Sequence, residues 1–230
     1  MLDFKGAGDH KRHPMSASVK ICGINSATAA EAVLRAGAEF AGLNFFPRTP
    51  RHIPLDQAVS LADQMRGRLK LVALVVDEDD AMLARIADSI RPDFFQLHGK
   101  ENVVRTADIR ARFAIPVIKV LAVADKDDLK QIGDYEPVAD ILMFDAKAPQ
   151  SASRPGGHGA AFDWKILAGV DVKRPWFLAG GLNPENVGRA ISISGAPMVD
   201  VASGVESAPG VKNESLIADF VAAARQQVAA

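Results

Sequence analysis

Ser18-Val19-Lys20-Ile21-Cys22-Gly23 is a short apolar stretch that ends on the chain's one cysteine and stops at a glycine. β-Branched residues closed by a turn residue predict a β-strand. Seven further stretches repeat the pattern: Phe40–Phe45, Leu69–Val76, Phe94–Leu97, Val117–Leu121, Ile141–Phe144, Trp176–Ala179 and Met198–Ala202. Segments with 3.6-residue apolar spacing separate them. Ala30, Val33 and Leu34 share a face, with Gly37 as a natural stop. Met82, Leu83, Ile86, Ala87 and Ile90 form a stronger stripe, with Asp77 as its expected cap. Asn183-Pro184 reads as a cap followed by a first-turn proline. Leu216, Ile217, Phe220 and Val221 predict a last helix starting near Asn213.

Alternating strands and helices predict a parallel sheet. Eight units in 230 residues favour an α/β fold closed as a (β/α)8 TIM barrel over an open doubly wound sheet. The fifth and sixth helical segments, Asp125–Gln131 and Ala160–Leu167, are weak. The long Ser-, Pro- and Gly-rich stretch from Lys147 to Gly159 is expected to serve function. No linker-like shift divides the chain, so residues 18–230 read as one domain. Residues 1–17 read as a flexible N-terminal extension, with Met15 as an alternative start. The other reading of that segment is a short extra element packed on the barrel.

Composition narrows the function classes. The chain is 48% hydrophobic and 24% charged, with a net charge of −1. No basic excess is present to bind nucleic acid or anionic lipid. No apolar run approaches the roughly 20 residues of a membrane span. A single cysteine makes no internal disulfide, which fits a reducing, cytoplasmic setting. No His/Cys/carboxylate cluster has metal-ligand spacing, and neither a dinucleotide nor a Walker fingerprint is present.

The chemistry-bearing residues sit at strand ends. Strand alternation places Lys20 and Cys22 on one face, where an ammonium lowers the pKa of a neighbouring thiol and equips it as a base; the bland reading is a buried structural cysteine. Asp145 follows four apolar residues and is a candidate general acid, or else a helix cap or loop ion pair. Asp200, inside an apolar strand, needs a hydrogen-bond partner and reads as a supporting residue. Gly180-Gly181 and Ser203-Gly204 end the seventh and eighth strands, where backbone amides form a phosphate site in many barrels; plain turns are the alternative. Arg48 and Arg51 follow the second strand and suit a carboxylate, or form a solvated surface pair. His98 ends the fourth strand, either to bind substrate or to pack locally.

In order along the chain come Lys20-Ile21-Cys22-Gly23, the Phe45–Arg51 loop, Gln96-Leu97-His98-Gly99, Phe144-Asp145, Gly156-Gly157-His158-Gly159 with Phe162-Asp163-Trp164, Leu178-Ala179-Gly180-Gly181-Leu182 with Asn186-Val187, Val199-Asp200-Val201 with Ser203-Gly204-Val205-Glu206, and Gly210-Val211-Lys212. This ordered set resembles the phosphoribosylanthranilate isomerase family of tryptophan biosynthesis. The resemblance implies a (β/α)8 barrel that converts N-(5-phosphoribosyl)anthranilate to 1-(2-carboxyphenylamino)-1-deoxyribulose 5-phosphate without metal or organic cofactor. It implies Asp145 as general acid, Cys22 as base, Arg51 on the anthranilate carboxylate, and the Gly180–Gly181 and Ser203–Gly204 amides on the phosphate. It implies a small-molecule partner and a monomer or homodimer. Three features depart from the family pattern: residues 1–17 extend beyond its usual start, His158 stands where the family often has a small hydroxyl residue, and Asn213 stands where an acid is common. The alternatives are a related sugar-phosphate isomerase of histidine biosynthesis, which resembles a pair of aspartates at the first and fifth strand ends, and a non-catalytic phosphosugar sensor.

Overall fold

The computed structural model describes residues 17–147 and 162–226. Its eight parallel strands are β1 (Ser18–Cys22), β2 (Phe40–Asn44), β3 (Lys70–Val75), β4 (Phe94–Leu97), β5 (Val117–Val123), β6 (Ile141–Ala146), β7 (Trp176–Leu178) and β8 (Met198–Val201). They pair in chain order and close, because β1 bonds to both β2 and β8. The expected (β/α)8 barrel is the observed one. Around it lie α1 (Ala27–Ala36), α2 (Leu55–Met65), α3 (Asp80–Ile90), α4 (Val103–Phe113), the short α5 (Ile132–Tyr135), α6 (Val187–Ser194) and α7 (Glu214–Arg225). Two short strands, β9 (Glu206–Ala208) and β10 (Val211–Lys212), form an antiparallel hairpin after β8. Among the described residues, no helix is long and apolar enough to cross a membrane.

Strand alternation divides the apolar residues into two compartments. Val19 and Ile21 of β1 face outward and pack with Val33 of α1 and Phe220 of α7. Val72, Phe94, Ile118, Met143, Phe177 and Met198 fill the interior together with Phe40. Phe40 meets Phe177 edge-on, with ring centroids 5.2 Å apart. Each such side chain contributes about 1.5–3 kcal/mol when fully buried. The polar interior residues then lie toward the C-terminal strand ends, where a barrel presents its loops.

Local structure departs from the sequence reading at several points. Asp79, not Asp77, caps α3, accepting from Met82 N–H at 2.8 Å. Asp77 takes a left-handed φ of 51° and accepts from Lys100 N–H instead. Asn183 caps a turn by accepting from Glu185 and Asn186 N–H, so α6 begins only at Val187. The weak fifth unit is a 3₁₀ turn (Asp127–Gln131) running into the four-residue α5. The sixth retains only the 3₁₀ turn Trp164–Leu167 among the described residues. Gly37 ends α1 with φ 76°, as expected. Asn213 caps α7 by accepting from Leu216 N–H at 3.0 Å, which gives the uncharged residue at that position a structural role. Ala17 is buried, whereas the rest of the expected extension, and Gly156–Gly159 with His158, lie outside the described residues.

Candidate active site

Cys22 ends β1 inside the barrel mouth, and Lys20 lies one interior position below it. A Cβ built on Gly42 of β2 would stand 3.0 Å from both Cys22 Sγ and Lys20 Nζ, so the bare glycine makes room for both groups. Lys20 is fully buried and donates to Asp200 Oδ1 at 2.8 Å. Asp200 faces Lys20 in the β1–β8 register and gives this ammonium its counter-charge, so the hydrogen-bond partner that a buried strand carboxylate needs is Lys20. Burial disfavours the Lys20 ammonium, but Asp200 and Cys22 outweigh it and hold the group above its usual value. The expectation for Cys22 needs correction. Lys20 does favour its thiolate, yet burial is the larger effect and pushes the thiol above its ordinary value.

Asp145 lies within β6 rather than after it, so it is neither a helix cap nor a loop residue. Its Oδ2 is 3.2 Å from His98 Nε2. His98 Nδ1 in turn lies 3.3 Å from the amide nitrogen of Gln96. With His98 carrying its proton on Nε2, the chain runs from the Gln96 side-chain N–H to His98 Nδ1 and from His98 Nε2–H to Asp145 Oδ2. From sequence alone His98 is a substrate contact or a packing residue; the geometry makes it a partner of Asp145. Gln96, which opens the Gln96-Leu97-His98-Gly99 stretch, has no role from sequence alone; its place two residues before His98 is the local signal for this contact.

The two glycine-bearing strand ends meet. Gly180 and Gly181 adopt φ of 87° and 65°, a left-handed region that favours glycine. A Cβ on Gly180 would lie 2.5 Å from Ala146 N and 2.9 Å from Asp145 Oδ1. A Cβ on Gly204 would lie 1.9 Å from the Leu182 carbonyl oxygen, so the loops after β7 and β8 touch backbone to backbone. Ser203 and Gly204 open a 3₁₀ turn there. Among the described residues, the N–H groups of Gly180 and Gly181 have no protein acceptor. Such an arrangement suits an anion.

The two arginines separate. Arg48 is exposed, whereas Arg51 is buried against Glu206, with Nε and Nη2 each 2.7 Å from one carboxylate oxygen. Glu206 also accepts from Lys212 Nζ at 2.8 Å. Burial works against the Glu206 charge, but Arg51 and Lys212 prevail and hold it below the usual carboxylate value. Burial likewise pushes Lys212 down despite Glu206. Sequence reasoning assigned no role to Glu206 or Lys212. Both end stretches that carry the family resemblance, and Gly210, at φ 82°, turns β9 back on β10 to bring them together.

The model of the family described as N-(5′-phosphoribosyl)anthranilate isomerase matches residues 19–223. The chain belongs to this family. It is 50% identical over 211 residues to the N-(5′-phosphoribosyl)anthranilate isomerase of Rhodopseudomonas palustris strain BisA53, covering 92% of this chain and 97% of that protein. It is 49% identical over 210 residues to that of Paracoccus denitrificans, covering 91% and 98%. The solved phosphoribosylanthranilate isomerase of Thermotoga maritima superposes with a TM-score of 0.82 at 32% identity, covering 90% of this chain and 98% of that one. Another structure of such an isomerase, in complex with reduced 1-(o-carboxyphenylamino)-1-deoxyribulose 5-phosphate, gives a TM-score of 0.79 at 30% identity over the same shares. The expected isomerase of tryptophan biosynthesis is therefore the assignment the family supports. For the histidine-pathway alternative, β5 carries no carboxylate and closes on Ala122 and Val123; Asp125, in the loop beyond it, accepts from Asp127 and Asp128 N–H instead.

Proposed function

We propose that Asp145 and Cys22 are the acid and base of an Amadori rearrangement of N-(5-phosphoribosyl)anthranilate. The observation that carries this reading is their placement at the C-terminal ends of β6 and β1 of one closed barrel, each with its own polar partner. Asp145, as general acid, gives a proton to the furanose ring oxygen. The bond from that oxygen to C1′ breaks, and the anthranilate nitrogen's lone pair forms a cationic Schiff base. The Cys22 thiolate then removes the C2′ proton, the electron pair neutralises the iminium, and the enolamine tautomerises to the ketone, 1-(2-carboxyphenylamino)-1-deoxyribulose 5-phosphate. The iminium supplies the acidity that otherwise calls for a metal or organic cofactor.

The same cation resolves the raised thiol value. Before substrate binds, burial keeps Cys22 protonated. A positive iminium beside it adds to the pull of Lys20, so the thiol releases its proton to solvent and the thiolate is present when the base is needed. His98 keeps the Asp145 carboxyl oriented, Arg51 receives the anthranilate carboxylate, and the Gly180, Gly181, Ser203 and Gly204 backbone receives the phosphate. The partner is this small molecule, the compartment is the cytoplasm, and the barrel works as a monomer or homodimer.

Cys22→Ser tests the base. A hydroxyl is a far weaker base near neutral pH, so turnover should fall by about 10²–10⁴-fold. Affinity for the reduced product analogue should stay within a few-fold, because Cys22 is assigned no binding role. Turnover close to that of the unmodified protein would remove Cys22 from the mechanism.

A further inference from the structure

Arg51 reaches the site with one edge of its guanidinium already occupied. Nε and Nη2 form the side-on fork to Glu206, at 2.7 Å to each oxygen. The remaining edge, Nη1 with the second Nη2 N–H, takes no acceptor among the described residues. Both side chains are deeply buried, 5% exposed for Arg51 and 4% for Glu206. Glu206 is itself fixed, accepting from Lys212 Nζ at 2.8 Å and from Gly210 N–H at 3.1 Å. Lys212 is anchored by the Ala202 carbonyl at 2.8 Å.

The β9–β10 hairpin that carries these groups is seated on the Arg51 loop. A Cβ on Gly210 would meet the Pro50 carbonyl oxygen at 2.4 Å. Asn25 Nδ2 donates to the Gly210 carbonyl at 3.0 Å, tying the hairpin to the loop after β1. On the far side, the Arg51 stem crosses Gly23, where a Cβ would lie 2.7 Å from Arg51 Cδ. The arginine is thus confined between the glycine that follows Cys22 and the Glu206 carboxylate.

We propose that Glu206 is the positioning residue for Arg51: it clamps the side-on edge so that the end-on edge is the one presented to the substrate's aromatic carboxylate. The inference rests on the reading that Arg51 receives that carboxylate. A planar guanidinium held along one edge meets a planar carboxylate with two parallel hydrogen bonds along another. Without the clamp, the guanidinium regains rotamer freedom and also faces the Lys212 ammonium with no shared counter-charge.

The test is calorimetric binding of two ligands: reduced 1-(o-carboxyphenylamino)-1-deoxyribulose 5-phosphate, and the same compound without the ring carboxylate. The proteins are the unmodified chain, Arg51→Ala, Glu206→Gln and Glu206→Asp. The last keeps the charge but withdraws it by one methylene, and it carries the test alone if Glu206→Gln does not fold. Each Glu206 variant should lose about tenfold in affinity for the carboxylate-bearing ligand. Affinity for the carboxylate-free ligand should be retained within about twofold, a difference that a merely structural role would not produce. Full preference for the carboxylate in the Glu206 variants, with its loss in Arg51→Ala, overturns the positioning role and leaves the Arg51 reading intact. Equal losses for both ligands also overturn the positioning role. Retained preference in Arg51→Ala overturns the Arg51 reading and this inference with it.

Discussion

Gly42→Ala places a methyl group against the base and its cation. The added Cβ would stand 3.0 Å from Cys22 Sγ, 3.0 Å from Lys20 Nζ and 3.2 Å from Cys22 Cα, where ordinary contact begins at 3.4 Å. The shortfall of about 0.4 Å must be absorbed by one of these neighbours. Lys20 has little freedom, because Asp200 holds it at 2.8 Å in a fully buried position. The Cys22 backbone is fixed by the β1–β2 register, in which Cys22 and Gly42 are partners. The thiol is therefore the group that yields, rotating out of line with the carbon it must deprotonate. A misplacement of this order costs about 10- to 100-fold in rate, and overfilling a packed interior costs about 1–3 kcal/mol in stability. The assay is steady-state loss of substrate anthranilate fluorescence, with urea unfolding to read stability. The reduced product analogue should still bind within a few-fold, since the atoms nearest the new methyl belong to Cys22 and Lys20, not to the glycine loops or Arg51. A Gly42→Ala protein that turns over within twofold of the unmodified chain would refute the close placement of Cys22 and Lys20 as the working geometry.

The raised Cys22 value has two further consequences. A buried thiol that stays neutral in the folded state loses stability relative to the unfolded chain once pH passes the ordinary thiol value, and continues to do so up to its own raised value. In that alkaline window the unmodified protein should lose up to about 1.4 kcal/mol per pH unit relative to Cys22→Ser, as read by urea unfolding; parallel pH profiles would contradict the shift. For the same reason kcat/KM should still be rising with pH at about pH 8, and a plateau from pH 6 upward would show the free-enzyme thiol to be already ionised. Gly204→Ala should separate the loops after β7 and β8, because its Cβ would lie 1.9 Å from the Leu182 oxygen; weaker binding of inorganic phosphate together with a lower Tm is the expected result, and unchanged phosphate affinity would remove that loop from the anion site. Lys119→Met should cost about 3–5 kcal/mol, because it leaves the buried Glu101 carboxylate without its 2.7 Å partner; a change under about 1 kcal/mol would mean that the Asp77 and Gly99 N–H groups satisfy Glu101 on their own.

The barrel was legible because each strand is short, apolar and bounded by turn residues, and because strand alternation alone puts Lys20 and Cys22 on the same interior face. Arg51 shows where the sequence stopped being informative. Its exposure and its partner depend on a hairpin more than 150 residues later, and nothing near Arg51 in the chain announces Glu206. Cys22 shows a different limit. Lys20 was visible beside it, and the sign of that ammonium's effect was correct, but the larger effect of burial depends on packing from β2 and β8 that no local pattern encodes. The helix starts slipped by a few residues because Asp77 and Asn183 carry the right side chains in the wrong backbone: Asp77 accepts from Lys100 N–H in the loop after β4, and Asn183 bonds within its own turn. His98 and Asp145 lie 47 positions apart in the sequence, and only the closed barrel brings their strand ends to 3.2 Å.

The most direct test of the central claim is turnover of freshly generated N-(5-phosphoribosyl)anthranilate by the unmodified chain and by Asp145→Asn, followed by loss of anthranilate fluorescence. The account predicts rapid loss with the unmodified chain and a rate lower by about 10²–10⁴-fold in the variant, with the reduced product analogue still bound. A folded Asp145→Asn protein that turns over at the normal rate, or an unmodified chain that binds the analogue and leaves the substrate unchanged, would contradict it.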